Sequence, residues 1–482
     1  MASKQTLNAK NLEALGAEKL SEMLMDLSKG NAAAKRRLRL ELAGASSVEE
    51  LAKEVRKRLV TISRSTSFVD WRNRKILIAD LETQHEAIVK KIGKEDPAVG
   101  LELLWRFIDL APSVFDRCDD SNGTISEIFR SASDDIGSLA HAAEIDPINL
   151  SDRVYDALLS NNYSQFDGLI SAVGSVLGKV GLEHLKLRMN QLANKPAKRV
   201  ALSERRKIGW STSGAIYAED IEESSRSWVS SSALKEIADA LGDVDGYIKQ
   251  YTKEQHRFPK IAADIAVRLL KADRCPEALD FVEKAKSDFE DFVGFELIDA
   301  KVSILEALDR KDEAQQVRWS CFEKSLSPIH LREFLKKLPD FDDIEAEEKA
   351  LDFAGHYPSA LTAISFFIGW LALERASRLI LMRTSEIDGN HYEILTPAAS
   401  SLGDKFPLAA TIALRSMIDF ALINGRHSRY GHAARHFNDC EELAKRIESF
   451  GIFETHETYY ERLQLKHRQK TSFWSEVHGK KI

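Results

Sequence analysis

Apolar residues return every three to four positions along most of this chain. Leu12, Leu15, Leu20, Leu24 and Leu27 recur at intervals of three to five, which places them on one face of a helix. Val48, Leu51, Ala52, Val55, Leu59 and Ile62 repeat that pattern more cleanly. Ser46 or Ser47 offers a cap there, and Glu49 and Glu50 fall in the first turn, where the helix dipole favours carboxylates. The windows 68–92 and 98–115 continue the periodicity. Asp96-Pro97 opens the second of them, because proline at the first helical position loses no hydrogen bond. Further helices are expected over 125–143, 152–159 and 166–192.

Residues 194–232 break the pattern. They hold Lys195, Lys198, Arg199, Arg205, Arg206, Lys207 and a run of serines, and their apolar positions follow no sustained period. The expectation is a long loop or linker. It would separate an N-terminal helical bundle, 1–193, from a C-terminal helical domain, 233–482.

That second domain carries an internal repeat. Leu269, Asp273, Arg274, Glu277 and Ala278 return, 36 residues on, as Leu305, Asp309, Arg310, Glu313 and Ala314. Ala278-Leu279-Asp280-Phe281 returns again as Ala350-Leu351-Asp352-Phe353, at twice that offset. Each unit reads as an apolar helix, a short polar turn and a second helix opening on Glu-Ala. Two helices in about 34–40 residues mark a tetratricopeptide-like α-solenoid, in which neighbouring hairpins share a continuous core. The Trp and Gly-x-x-Tyr positions of tetratricopeptide repeats are absent, so the expectation concerns architecture alone.

Composition agrees with an all-α fold. The chain has 24 Gly and 11 Pro in 482 residues, too few turn formers for a many-stranded β protein or a Pro/Gly-rich disordered one. The net charge of −7 gives no global argument for nucleic acid. It is unevenly spread: residues 31–93 hold fourteen Lys and Arg against eight Asp and Glu, whereas 277–357 hold eleven against twenty-one. Surfaces of opposite sign steer oppositely charged partners. The first residues have no apolar core of a signal peptide, and the longest uncharged apolar stretch, 358–373, is shorter than the ~20 residues of a membrane span. Cys118, Cys275, Cys321 and Cys440 are widely scattered, which suits a reducing compartment. A cytoplasmic protein without a membrane anchor is expected.

Catalytic signatures are missing. Gly174-Ser-Val-Leu-Gly178-Lys179 is one residue short of a phosphate-binding loop and continues with Val180, so it lacks both the backbone cradle and the metal-binding hydroxyl. Ser232-Ala-Leu-Lys235 has no companion motif. Asp119 and Asp120 read as an Asx-capped turn. One dense group remains: Arg426, His427, Arg429, Tyr430, His432, Arg435, His436 and Cys440. On a helix, His432, His436 and Cys440 share a face, drifting about 40° per step. They are candidate zinc ligands, with Glu441, His427 or His456 as a fourth, although Cys440 lies about 12 Å along the axis from His432. The same residues also suit a hydrogen-bonded Arg/His/Tyr network, or an anion held by Arg426, Arg429 and Arg435. Basic residues near aromatic ones supply candidate nucleic-acid contacts: Arg36, Arg37, Arg39, Arg72, Arg74 and Lys75 near Trp71, then Arg205 and Arg206.

The ending Tyr459-Tyr460, Leu463, His467-Arg468-Gln-Lys470 and Phe473-Trp474 resembles the helical tail of bacterial SWIM zinc-finger proteins. The zinc module of those proteins, with its closely spaced cysteines, has no counterpart here. Trp105-Arg-Phe, Leu338-Pro-Asp-Phe-Asp, His391-Tyr-Glu-Ile-Leu-Thr-Pro-Ala-Ala and Arg429-Tyr-x-His-Ala-Ala-Arg-His resemble a bacterial, mainly proteobacterial, helical family of unknown function. That resemblance implies helices throughout and no particular activity. Phe473 and Trp474 are expected to dock the last helix and cap the array.

These readings favour a non-enzymatic helical-repeat scaffold or adaptor, binding a protein partner through its solenoid surface, with no cofactor beyond the zinc candidate. Two alternatives stay open. One is a nucleic-acid-associated protein using the basic N-terminal helices and 195–207. The other is an enzyme, or a metal or anion site, at 426–440.

Overall fold

A computed structural model describes residues 7–196, 205–212, 214–285 and 294–479, apart from the side chains of Trp71 and Arg72. The described residues are all-α except for one two-stranded antiparallel hairpin. They divide into two compact units, Met1–Thr252 and Lys253–Ile482.

In the first unit the periodic stretches become helices with the expected caps. Ser47 accepts from the Glu50 N–H at 3.2 Å to start helix Val48–Ser63, whose Leu51, Ala52, Val55, Leu59 and Ile62 are all buried. Asp96 accepts from the Val99 N–H at 3.0 Å and opens Pro97–Ile108. Helix Thr124–Ala142 crosses Leu169–Ala193 at Gly137, where an added Cβ would stand 2.1 Å from the Ala172 carbonyl oxygen. No other residue allows that approach. Helix Leu169–Ala193 is itself kinked at Gly178 (φ 53°, ψ −168°), so the short Gly-x-x-x-Gly-Lys string ends on the kink between two helical segments. Helix Ala17–Ser28 forms as its spacing predicts, yet Leu24 and Leu27 stay exposed.

The expected loop at 194–232 is corrected over its described residues. Strands Lys207–Ser211 and Gly214–Tyr217 pair as a hairpin, and helix Ala218–Leu241 follows. Ala218, Ser230, Ala233, Leu234, Ile237 and Ala238 are buried, with the helix packed on Leu169–Ala193. The serines that obscured the period, Ser224, Ser225 and Ser227, lie on its exposed side, where weak helix propensity is overridden by packing of the opposite face. Lys198, Arg199 and Ser213 lie outside the described residues.

The second unit is made of helical hairpins, and their turns recur in geometry. Pro259–Lys271 joins Cys275–Lys284 through Asp273, and Phe295–Ala307 joins Lys311–Ser325 through Asp309. Both aspartates take φ 57°. The Arg274 N–H then reaches the Leu269 carbonyl at 2.9 Å, and the Arg310 N–H reaches Leu305 at 2.8 Å. This is the six-to-one closure of a Schellman turn. Arg274 and Arg310 fork onto Glu277 and Glu313 at 2.6–2.9 Å, and Ala278 and Ala314 are buried. The 36-residue repeat is therefore one turn built twice. Leu371 (φ 64°), between Ala360–Trp370 and Leu373–Met382, makes the same closure without the side-chain motif, as Ala372 N–H to Phe367 at 2.9 Å. Gly425 (φ 60°), between Pro407–Ile423 and Tyr430–Ala444, repeats it as Arg426 N–H to Ala421 at 2.9 Å. The 350–353 string lies near the end of helix Asp342–Gly355, which opens after Phe341 with no Asp-Arg turn, so only burial of its alanine and leucine is shared. The apolar stretch at 358–373 is a core helix, with Ala363, Ile364, Phe366 and Phe367 buried. Among the described residues no helix is long and apolar enough to cross a membrane.

Candidate functional site

Helix Tyr430–Ala444 buries Tyr430, Ala433, Ala434, Phe437 and Cys440 at the three- and four-residue spacing of a core stripe. That stripe decides the fate of the zinc candidates. Cys440 is fully buried, its Sγ directed at the Thr411 carbonyl oxygen at 3.9 Å. Burial pushes the thiol up to about 12, far from the thiolate that binds metal. His432 is exposed on the other side, and its Nδ1 accepts from Arg435 Nη2 at 2.9 Å. His436 is largely buried between them, its Nδ1 3.9 Å from Asp439. Among the described residues no three His, Cys, Asp or Glu side chains are placed to hold a metal ion.

The arginines have separate partners. Arg429 donates to Asn390 Oδ1 at 3.0 Å and lies 4.8 Å from the Tyr392 ring centre. Arg435 holds His432, and Arg426 is exposed. Tyr430 is buried against His427 and Phe473, with Lys470 Nζ 5.9 Å from its ring. Of this group only Arg429, His432 and His436 border a cavity of about 240 Å³; Tyr430, Arg426 and Arg435 do not. Ser428 and Thr396 add hydroxyls to its lining, and Tyr392, Met417, Ala421 and Ala433 supply most of its apolar surface. Burial holds His436 below the usual histidine range. Sequence reading missed Tyr392 and Met417, which belong to helices Tyr392–Leu402 and Pro407–Ile423 and reach the cavity only through tertiary packing.

The basic candidates are spread and partly neutralised. Arg36 is half-buried, 3.8 Å from Asp80, and Arg74 donates to the Asp119 carbonyl at 3.1 Å. Arg37, Arg39 and Lys75 are exposed, and the Arg72 side chain lies outside the described residues. Arg205 pairs with Asp220, and the Arg206 N–H meets the Glu219 carboxylate at 3.2 Å. Asp120 caps helix Thr124–Ala142 by accepting from Ile125 and Ser126 N–H at 2.9 and 2.8 Å, so the acidic turn is a cap. The hairpin adds what the sequence hid: Trp210, 72% exposed, with Lys207 Nζ 3.6 Å from its ring centre.

A family model matches residues 2–476. The chain belongs to that family, a family of unknown function (DUF6880). DUF6880 thus spans both compact units, and the helical architecture described here extends across the matched region. No curated protein matches the chain. The resembling C-terminal residues are structural: Tyr459, Leu463 and Phe473 are fully buried, and Trp474 packs edge-on against Phe473 at 4.9 Å.

Proposed function

We propose that this DUF6880 chain is a non-enzymatic, cytoplasmic helical-repeat scaffold that receives a protein partner on the surface of its second unit. The observation that carries this reading is the recurrent hairpin turn at Asp273, Asp309, Leu371 and Gly425. Repeated hairpins that pack on one another build solenoid surfaces, which suit extended protein segments. A second feature favours a partner of basic, partly apolar chemistry. Phe341 is 81% exposed at φ 77°, and Asp340, Asp342, Asp343 and Glu345 around it are exposed too. An exposed aromatic ringed by carboxylates fits a basic segment with an apolar anchor.

Affinity capture of the tagged full chain, with and without nuclease and read by mass spectrometry, tests this. The expected result is a protein retained in both arms and lost from a Phe341→Ala, Asp342→Lys, Asp343→Lys variant. Capture that disappears with nuclease would overturn it. The runner-up, a nucleic-acid-associated protein, is supported by the Lys207–Trp210 platform, a cation beside a stackable ring. Steeply falling affinity for single-stranded nucleic acid with rising salt would favour that reading.

A further inference from the structure

The cavity bordered by Arg429 has a division of chemistry that simple packing does not require. Its floor is mostly apolar, the Tyr392 ring, Met417 and the small side chains of Ala421 and Ala433, with the Thr396 hydroxyl turned onto Met417 Sδ at 3.5 Å. Its volume of about 240 Å³ is several times the ~30 Å³ share of one water and below the ~300–1,000 Å³ of drug-sized sites. On the rim, Arg429 is held in place by Tyr392 beneath it and by Asn390 at Nη1. Among the described residues its Nε and Nη2 have no hydrogen-bond partner, and these two form an edge that matches a carboxylate. Arg435 donates to His432 Nδ1, which leaves the His432 proton on Nε2 as a donor. Burial keeps the His436 imidazole uncharged at neutral pH.

We propose that this cavity binds a small monocarboxylate with an aromatic or branched apolar body. The carboxylate would sit on the Nε/Nη2 edge of Arg429, within reach of His432, and the body would lie on Met417 and Tyr392, where sulfur–ring contact is favourable. One cation, the His432 donor, the Ser428 hydroxyl and an uncharged imidazole suit a single negative charge better than a phosphate dianion. The site stands independently of the scaffold reading, since it uses the helices around 389–436 and not the Phe341 surface.

Titration calorimetry of the full chain with phenylacetate tests the proposal, with benzyl alcohol and acetate as comparison ligands. Saturable one-to-one binding of phenylacetate is expected, with at least about tenfold weaker binding of each comparison ligand, as loss of either half of the contact requires. Arg429→Gln should weaken phenylacetate by a similar factor, and Ala433→Leu should abolish binding by filling the floor. If Ala433→Leu does not fold, Arg429→Gln alone still decides. No saturable binding to the unaltered chain, or binding unchanged in Arg429→Gln, overturns the proposal.

Discussion

The two compact units hold their helices together by the same devices in different proportions. In Met1–Thr252 the decisive contacts occur once each: Gly137 against the Ala172 carbonyl, the kink at Gly178, a π-helical turn over Ala87–Ile92. In Lys253–Ile482 one backbone solution is used at four hairpins, with a left-handed residue closing a six-to-one hydrogen bond. The first unit uses it at two junctions, Glu144 (Ile145 N–H to Ala140 at 3.3 Å) and Gly242 (Asp243 N–H to Ala238 at 2.8 Å). A single-use contact concentrates its energy in one atom pair. A reused turn distributes energy, and any one copy can carry a poor residue, as Leu371 does at a position where Gly425 is unstrained. Single-use contacts should therefore be brittle and the turns tolerant. The second unit has one brittle point of its own, Gly389, where an added Cβ would stand 1.9 Å from the Ser416 carbonyl oxygen.

Gly137→Ala in the first unit and Gly389→Ala in the second should have the largest effects, each felt in its own unit. Each added Cβ would meet a backbone oxygen, so the packed segments must part, at a cost of about 3 kcal/mol. Hydrogen exchange on the full chain carrying Gly137→Ala should show faster opening in 97–193 with the second unit little changed; uniform exchange in both would erase the contrast. Acid should act in the opposite place. His436, His456 and His467 in the second unit are held below the usual histidine range by burial. Their unfolded forms bind protons first, so stability is full above about pH 6.5 and declines as pH falls through that value. In the first unit His85 and His184 sit 2.8 and 2.9 Å from Asp135 and Asp152. A second-unit transition that is flat between neutral and mildly acidic pH would contradict this account.

The turns sharpen the comparison further. Leu371 is 79% exposed, so Leu371→Gly loses little burial and relieves a left-handed side chain, stabilising the unit by about 1 kcal/mol. Gly425→Ala should destabilise it by a similar amount. Urea midpoints moving in the same direction would show that the turns are not equivalent. Smallest of all, Arg310→Ala should leave the urea midpoint almost unmoved, because the fork onto Glu313 lies at the surface, where water and salt screen it.

Much of this was readable from residue spacing. The Val48–Ile62 stripe, the Asp96-Pro97 entry and the Asp-Arg-x-x-Glu-Ala turn act locally, within one helix or one turn, and local spacing reports them. The turn at Leu371 was invisible, because it preserves backbone geometry while discarding every side chain of the motif. Helix Ala218–Leu241 was hidden by serines on its exposed side. At the site, Arg429 and His432 were legible as a cluster, whereas Met417 and Tyr392 meet them only through long-range packing. Cys440 was misplaced because helical phase alone cannot say which face is core. Arg415, buried over the Tyr459 ring at 4.4 Å with Nη1 on the Glu454 carbonyl at 2.7 Å, lay unremarked inside an apolar run.

The proposal that the second unit receives a basic protein segment is tested most directly by hydrogen exchange on the captured, nuclease-treated complex. The account predicts slowed exchange over 328–357, around Phe341, with 31–93 unchanged. Slowing confined to 31–93 or to the 205–217 hairpin, with release of the partner by nuclease, would contradict it.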